Sequence, residues 1–89
     1  MDASTRLQRS PNATFQVVAD EAILIHLQTG AYYSLNDVGT SFWQLLDGER
    51  SLADCAGQIA IEYNAPQEVV MADLVELAVD LAAEGLVVR

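Results

Sequence analysis

The residues that could do chemistry in this chain are few and lie far apart. There is one histidine, His26, and one cysteine, Cys55, and neither a CxxC nor an HxxxH spacing accompanies them. A common zinc centre, which needs several such ligands at close spacing, is therefore not expected. No GxSxG turn presents a serine nucleophile, and no GxGxxG or GxxxxGK(S/T) loop is present to hold phosphate. The sequence predicts a protein that is not an enzyme, with no cofactor and no metal.

The charge of the chain restricts the partners it can bind. Thirteen acidic residues face four arginines, and the formal net charge is −9. A polyanion is repelled by such a surface, so the sequence predicts no nucleic-acid partner and no membrane partner. A cationic peptide or a basic protein surface would be attracted. The alternative is that the acidic surface serves only solubility.

Targeting signals are also missing from the sequence. No apolar run reaches the roughly 18 residues that a membrane-spanning helix needs. Residues 1–11 lack the apolar segment of a signal peptide, and a single cysteine allows no internal disulfide. We therefore expect a cytoplasmic protein.

The candidate residues must be positioned by a small set of elements. The polar start predicts a flexible N-terminal arm over residues 1–12, followed by one domain over residues 13–89. Three short β-prone runs, at 14–18, 22–27 and 31–35, are separated by turns, the second of them at Thr29-Gly30. This spacing predicts a three-stranded antiparallel meander.

Three helices are predicted to follow the strands. Asn36 and Asp37 can cap the first helix, and Gly48 is expected just past its end. Ser51 and Asp54 resemble a capping box for the second helix. Pro66 suits the first position of a third helix that ends at Gly85, after which residues 86–88 return to the core. The predicted fold is α+β, a three-stranded antiparallel sheet followed by three helices, winged-helix-like in form.

The third strand and the third helix are the two candidate binding surfaces. Residues 31–35 form an edge strand that carries neither charge nor proline, so a peptide could add a further strand there. Alternatively, the N-terminal arm or a second copy of the protein covers that edge. The third helix is apolar over a wide arc, so it either packs on two sides or lines a groove. Residues 66–84 include no basic residue, which argues against a DNA-recognition helix.

Two stretches of the chain resemble the PqqD-like family. The first is LIHLQTGAYYSLN at residues 24–36, followed by Gly39, Trp43 and Asp47-Gly48, and the second runs from residue 73 to residue 87. The resemblance covers residues 15–88. Members of this family are RiPP precursor recognition elements, which are non-catalytic domains that bind the leader segment of a ribosomally made precursor peptide.

The resemblance implies a fold and a binding site. Members of the family have three strands and three helices in a winged-helix-like form. They bind the leader as an added antiparallel strand in the cleft between the third strand and the third helix. Carried over by position, the peptide-binding residues are Ala31, Tyr32, Tyr33, Ser34, Leu35, Val70, Asp73, Leu74, Leu77, Asp80 and Leu81. We expect whichever of Tyr32 and Tyr33 points outward, with Leu74 or Leu77, to form pocket walls. Asp73 and Asp80 would attract a basic leader residue.

Within this family the chain looks most like the stand-alone leader-binding proteins of lasso-peptide biosynthesis. Such a protein delivers the precursor leader peptide to a separate leader peptidase or other modifying enzyme. The alternative is a PqqD-type peptide chaperone of pyrroloquinoline quinone biosynthesis, which presents its precursor to a radical SAM enzyme. A further alternative is a protein–protein interaction domain that pairs through its edge strand.

Overall fold

The polypeptide folds into two small antiparallel sheets and three helices. The computed structural model describes all residues from Met1 to Arg89. The first sheet has the strand order β5-β1-β6 and the second has the order β2-β3-β4. The α+β class predicted from the sequence is confirmed. The elements, in chain order, are β1 (Arg6–Arg9), β2 (Ala13–Val18), β3 (Glu21–His26), β4 (Tyr32–Leu35), α1 (Asp37–Leu45), β5 (Asp47–Ser51), α2 (Leu52–Tyr63), α3 (Gln67–Ala83) and β6 (Val87–Val88).

The sheet β2-β3-β4 is the meander that the sequence predicts. Along β3, Ala22, Leu24 and His26 are buried, whereas Ile23 and Ile25 are exposed. This alternation follows from the two-residue period of a strand and gives the sheet one face toward the helices and one outer face. The strand β4 pairs only with β3, so it is an edge of this sheet.

Local hydrogen bonds define the ends of the helices. The Oδ1 atom of Asn36 accepts the backbone N–H of Gly39 at 2.9 Å, so Asn36 caps α1. Ser51 and Asp54 form the predicted capping box on α2, with distances of 3.1 and 3.0 Å. Pro66 precedes the first residue of α3 rather than occupying its first position. Gly85, at φ 70, follows α3 in the left-handed conformation that ends a helix.

The helices and both sheets enclose one apolar core. Phe42 and Trp43 of α1 are fully buried, and Ile59 of α2 and Leu74 of α3 pack in the same cluster. Cys55 is also buried there as a free thiol. Burial raises the pKa of that thiol, which makes it a poor nucleophile.

The second sheet is the main difference from the sequence-based prediction. Residues 1–12 were expected to be a loose arm, yet residues 6–9 form β1 between β5 and β6, with Leu7 only 1% exposed. Gly48, expected just beyond α1, lies inside β5 at φ 81. β1 and β5 are short and polar, β6 has only two residues, and β1 pairs with residues about 40 to 80 positions away, so no local pattern marks these strands. The return of Leu86 and Val87 to the core is confirmed.

Candidate peptide-binding groove

The outer edge of β4 carries unpaired main-chain groups at alternate residues. The N–H of His26 donates to the carbonyl of Ala31 at 2.8 Å, which fixes how β3 and β4 bond. Bonded and unbonded pairs alternate in an antiparallel ladder, so Tyr33 and Leu35 also bond toward β3. The N–H and C=O groups of Tyr32 and Ser34 therefore point away from the sheet. The N-terminal segment pairs in the other sheet and does not cover this edge.

The same alternation separates the side chains of β4. Tyr33 lies opposite Leu24, and Leu35 lies opposite Ala22, on the face that meets the helices. Tyr32 lies opposite Ile25 on the outer face and is 76% exposed. Tyr33 is therefore the tyrosine that faces α3.

A groove runs between the edge strand, the start of α1 and one face of α3. Its volume is about 440 Å³, which makes it the largest of three cavities in the structure. Five of its nine lining residues are apolar, so it combines main-chain groups at the strand edge with apolar walls. The lining residues are Tyr33, Ser34, Leu35, Asn36, Val38, Gly39, Asp73, Leu74 and Leu77.

The structure brings together six of the eleven residues that the sequence analysis carried over. These six line the groove and are Tyr33, Ser34, Leu35, Asp73, Leu74 and Leu77. Val70 and Leu81 are buried in the core, and Ala31 precedes β4. Tyr32 faces the other side of the sheet, and Asp80 is exposed one turn of α3 beyond Leu77.

Three lining residues at the start of α1 were missed in the sequence analysis. Asn36, Val38 and Gly39 line the groove because α1 begins directly after β4. The capping residue Asn36 was the available signal, since a helix that starts one residue after a strand must place its first turn beside that strand. A Cβ atom at Gly39 would lie 3.3 Å from atoms of both Leu35 and Asn36, so the glycine lets the first turn of α1 pack closely on the end of β4.

The α3 wall of the groove is negatively charged. Asp73 lies in the lining. Asp80 is also near the groove, because its carboxylate, after burial, is the second cause that raises the pKa of the Tyr33 phenol. The four arginines lie elsewhere, in β1, in β5 and at the C-terminus. Arg50, for example, pairs with Asp47 at 2.9 Å. The negative charge beside the groove is therefore not neutralised by the chain itself and favours a cationic ligand.

The groove has no set of groups for catalysis or metal binding. No cluster of three His, Cys, Asp or Glu side chains is placed to hold a metal ion. The titratable side chains of the lining are Tyr33 and Asp73, with neither histidine nor cysteine. None of the three helices combines the length and the apolar character needed to cross a membrane. The site offers hydrogen bonds, apolar contacts and negative charge.

A free strand edge beside an apolar groove is the arrangement used by domains that bind peptides by strand addition. Comparison with known proteins places the chain in a family. Residues 21–87 match the family described as Coenzyme PQQ synthesis protein D (PqqD), and the chain belongs to this family.

Solved structures share the fold over nearly the whole chain. The structure of TbiB1 in complex with the TbiA(beta) leader peptide matches with a TM-score of 0.81 and 31% identity, covering 90% of this chain and 93% of that one. Lasso peptide synthetase B1 complexed with the leader peptide has a TM-score of 0.82 at 22% identity, with coverages of 96% and 100%. The PqqD truncation of Methylobacterium extorquens PqqCD, a RiPP recognition element, has a TM-score of 0.82 at 17% identity, with coverages of 99% and 94%. The last two matches show the shared fold.

Curated relatives match over shorter segments. A PqqA binding protein of Bradyrhizobium diazoefficiens is 36% identical over 50 residues, which is 56% of this chain and 48% of the relative. A PqqA binding protein of Gluconobacter oxydans is 40% identical over 43 residues, or 48% of this chain and 45% of the relative. The matched segment therefore spans about half the length of these curated relatives.

Proposed function

We propose that this protein captures the leader segment of a ribosomally made precursor peptide by strand addition to β4 and presents it to a separate enzyme. The observation that carries the proposal is the free edge of β4, where the main-chain groups of Tyr32 and Ser34 point outward beside the groove. Membership of the PqqD family supports it, as do the leader peptides in the matched TbiB1 and lasso peptide synthetase B1 structures.

Main-chain pairing and groove contacts have different parts in this binding. Each hydrogen bond that the leader makes to Tyr32 or Ser34 contributes about 0.5–1.5 kcal/mol and is insensitive to sequence. Sequence preference comes from the groove, where an apolar leader side chain placed between Tyr33, Leu74 and Leu77 gains about 1.5–3 kcal/mol from burial. Asp73 and Asp80 add about 0–1 kcal/mol each toward a basic residue, so they adjust register more than affinity.

The outer face of the sheet supports the presentation step. Five apolar side chains are exposed on this face and the adjoining turns, although nothing in the chain packs on them: Val18, Ile23, Ile25, Leu27 and Tyr32. Several large apolar side chains exposed on one face are typical of a protein–protein contact. A leader strand added to β4 would place alternate side chains beside Tyr32, so an enzyme docked there would contact both the sheet and its cargo.

Two biosynthetic settings are compatible with this function. The match to TbiB1 in complex with a leader peptide, at 31% identity over 90% of the chain, supports leader capture, and the resemblance to stand-alone lasso-peptide leader-binding proteins favours a leader peptidase as partner. The curated relatives, which are named PqqA binding proteins, favour the second candidate, a peptide chaperone of pyrroloquinoline quinone biosynthesis. In both settings the protein acts without catalysis of its own, in the cytoplasm where its precursor is made.

Other uses of the same fold are disfavoured by charge. In a winged-helix-like arrangement α3 would be the element offered to DNA, yet α3 contains four carboxylates and no basic residue. A helix of this composition repels the phosphate backbone. Self-pairing of two copies through β4 remains the alternative use of the free edge.

The function is tested by a two-dimensional amide NMR titration with a synthetic leader peptide from the same gene neighbourhood. Leader capture predicts large shifts clustered on residues 31–39 and 73–77, and the same data give the affinity. A duplex DNA serves as the control and should leave the spectrum unchanged. Gel filtration with light scattering, run beforehand, distinguishes a monomer with a free edge from a dimer that occupies it. A folded spectrum without shifts at high leader concentration would contradict the proposal.

A further inference from the structure

His26 makes an unusual number of hydrogen bonds to the turn that leads into β4. Its backbone N–H donates to the carbonyl of Ala31 at 2.8 Å, and its carbonyl accepts the N–H of Gly30 at 2.9 Å. Its side chain adds two further bonds, because Nδ1 accepts the N–H of Gln28 at 3.2 Å and that of Thr29 at 3.3 Å. Within the turn at residues 27–31, every residue except Leu27 is therefore bonded to His26.

The opposite edge of the same imidazole ring meets the end of α3. A Cβ atom at Gly85 would lie 3.3 Å from Nε2 of His26 and 3.5 Å from Cδ2. Gly85 holds a positive φ of 70 and donates its N–H to the carbonyl of Ala82 at 3.0 Å, so it belongs to the turn that ends α3. His26 is buried, and its ring therefore fills the space between the two turns.

These two turns adjoin the two elements, β4 and α3, that form the main walls of the groove, although neither turn lines it. One turn sets where β4 begins, and the other ends the helix that carries Asp73, Leu74 and Leu77. We propose that His26 is a positioning residue for leader binding, whose Nδ1 acceptor holds the turn at the start of β4 in its binding conformation beside the end of α3. This inference rests on the proposed function and identifies what maintains the geometry of its site.

The chemistry of the side-chain contact defines the form of histidine that can make it. A ring nitrogen that accepts two N–H groups carries no proton, so the proton of the neutral ring is on Nε2. Another turn in this chain uses the same pattern with a shorter side chain: the Oδ1 atom of Asp47 accepts the N–H groups of Glu49 and Arg50, both at 2.9 Å. An oxygen acceptor at position 26 can therefore reach the residues two and three positions ahead.

The test compares two substitutions with a core control. His26→Leu keeps an apolar group of similar size but removes the acceptor, so the free protein should leave the binding conformation more often and leader affinity should fall, by up to about tenfold. His26→Asn restores a neutral acceptor and should bind within about threefold of the wild type. Ile59→Val in α2 lowers stability away from the groove and should leave the affinity unchanged while the protein stays folded.

Two measurements without leader separate this inference from the proposed function. Hydrogen exchange of the Gln28 and Thr29 amides should accelerate in His26→Leu and stay slow in His26→Asn and in Ile59→Val. A long-range ¹H–¹⁵N spectrum of the wild-type ring should show the proton on Nε2. This measurement needs no variant, so it tests the inference even if His26→Leu does not fold. The inference is overturned by a proton on Nδ1, by unchanged amide exchange, or by wild-type affinity in His26→Leu. If the wild type binds no leader although the exchange results hold, the proposed function fails and the positioning role fails with it, while the turn contact stands.

Discussion

Tyr32 and Tyr33 are adjacent in β4 but lie on opposite faces of the sheet. Tyr33 is half-buried opposite Leu24 and lines the groove, whereas Tyr32 is opposite Ile25 and is exposed on the outer face. In the proposed function, one strand thus carries, at neighbouring residues, a contact for a bound peptide and a contact for a second protein. The free main-chain edge between them links the two surfaces.

The two tyrosines should therefore affect different steps. Tyr33→Ala removes a groove wall and should weaken leader binding by about 1–2 kcal/mol, or roughly tenfold, as expected for an aromatic side chain at a binding surface. Tyr32→Ala should cost less, about 0.2–1 kcal/mol, because its side chain faces away from the groove and meets only the outward side chains of an added leader strand. Isothermal titration calorimetry with one leader peptide measures both. Equal losses in the two variants would contradict the assignment of faces.

Strand addition predicts a two-residue period in the leader. Only Tyr32 and Ser34 direct main-chain groups toward an added strand, so only alternate leader residues can bond to them. N-methylation of such a residue removes one donor and should cost about 0.5–1.5 kcal/mol. Methylation at the residues between them should cost little. A scan of singly N-methylated leaders should therefore show alternating affinities, whereas a flat or irregular profile would exclude pairing along β4.

The carboxylates of α3 should tune binding of a basic leader. In the double variant Asp73→Lys with Asp80→Lys, attraction becomes repulsion, so affinity should fall and the salt dependence of binding should decrease or reverse. Asp20→Lys, in the exposed turn between β2 and β3, changes the net charge by half as much away from the groove and serves as the control. Titrations of the leader at low and high salt measure the effect in the wild type and both variants. Identical salt dependence in all three proteins would exclude an electrostatic contribution of these carboxylates to binding.

The outer sheet face should be needed for presentation but not for capture. Ile23→Lys places a charge among the exposed apolar side chains of this face and should slow leader removal by the partner enzyme at unchanged leader affinity. Ile61→Lys introduces the same change on α2, where Ile61 is 85% exposed, and should have no effect on either step. Leader cleavage at limiting enzyme measures the difference. Full activity of Ile23→Lys would place the docking surface elsewhere.

Tyr33 should make stability depend on pH in the alkaline range. Its pKa is raised above the ordinary value of 10.0 by burial first and by the Asp80 carboxylate second. Between the unfolded and folded pKa values the folded state holds more protons, so the free energy of unfolding decreases as pH rises above 10.0. Tyr33→Phe should lose part of this decrease, whereas Tyr32→Phe should keep it. Urea unfolding at a series of pH values measures the slope, which no lysine titration obscures because the chain contains no lysine.

The sequence by itself determined the features that depend on near neighbours. The alternation at residues 22–26, the cap at Asn36, the capping box at Ser51 and Asp54 and the stop at Gly85 all appear as predicted. Each arises from contacts within a few residues, which a pattern of residue types can reveal. The edge position of the third strand followed from the order of the meander.

Tertiary structure alone decided which of these elements meet. The sheet β5-β1-β6 joins residues from both ends of the chain to its middle, through short strands without a periodic pattern. On α3 the residues Val70, Leu74 and Leu81 share one helical face, yet only Leu74 reaches the groove, because the helix packs on the core along its length and borders β4 over one part. The proximity of His26 to the turn that ends α3 has the same origin, since Gly85 lies far from it in sequence. Side-chain spacing defines a face of an element, and only packing defines what lies against it.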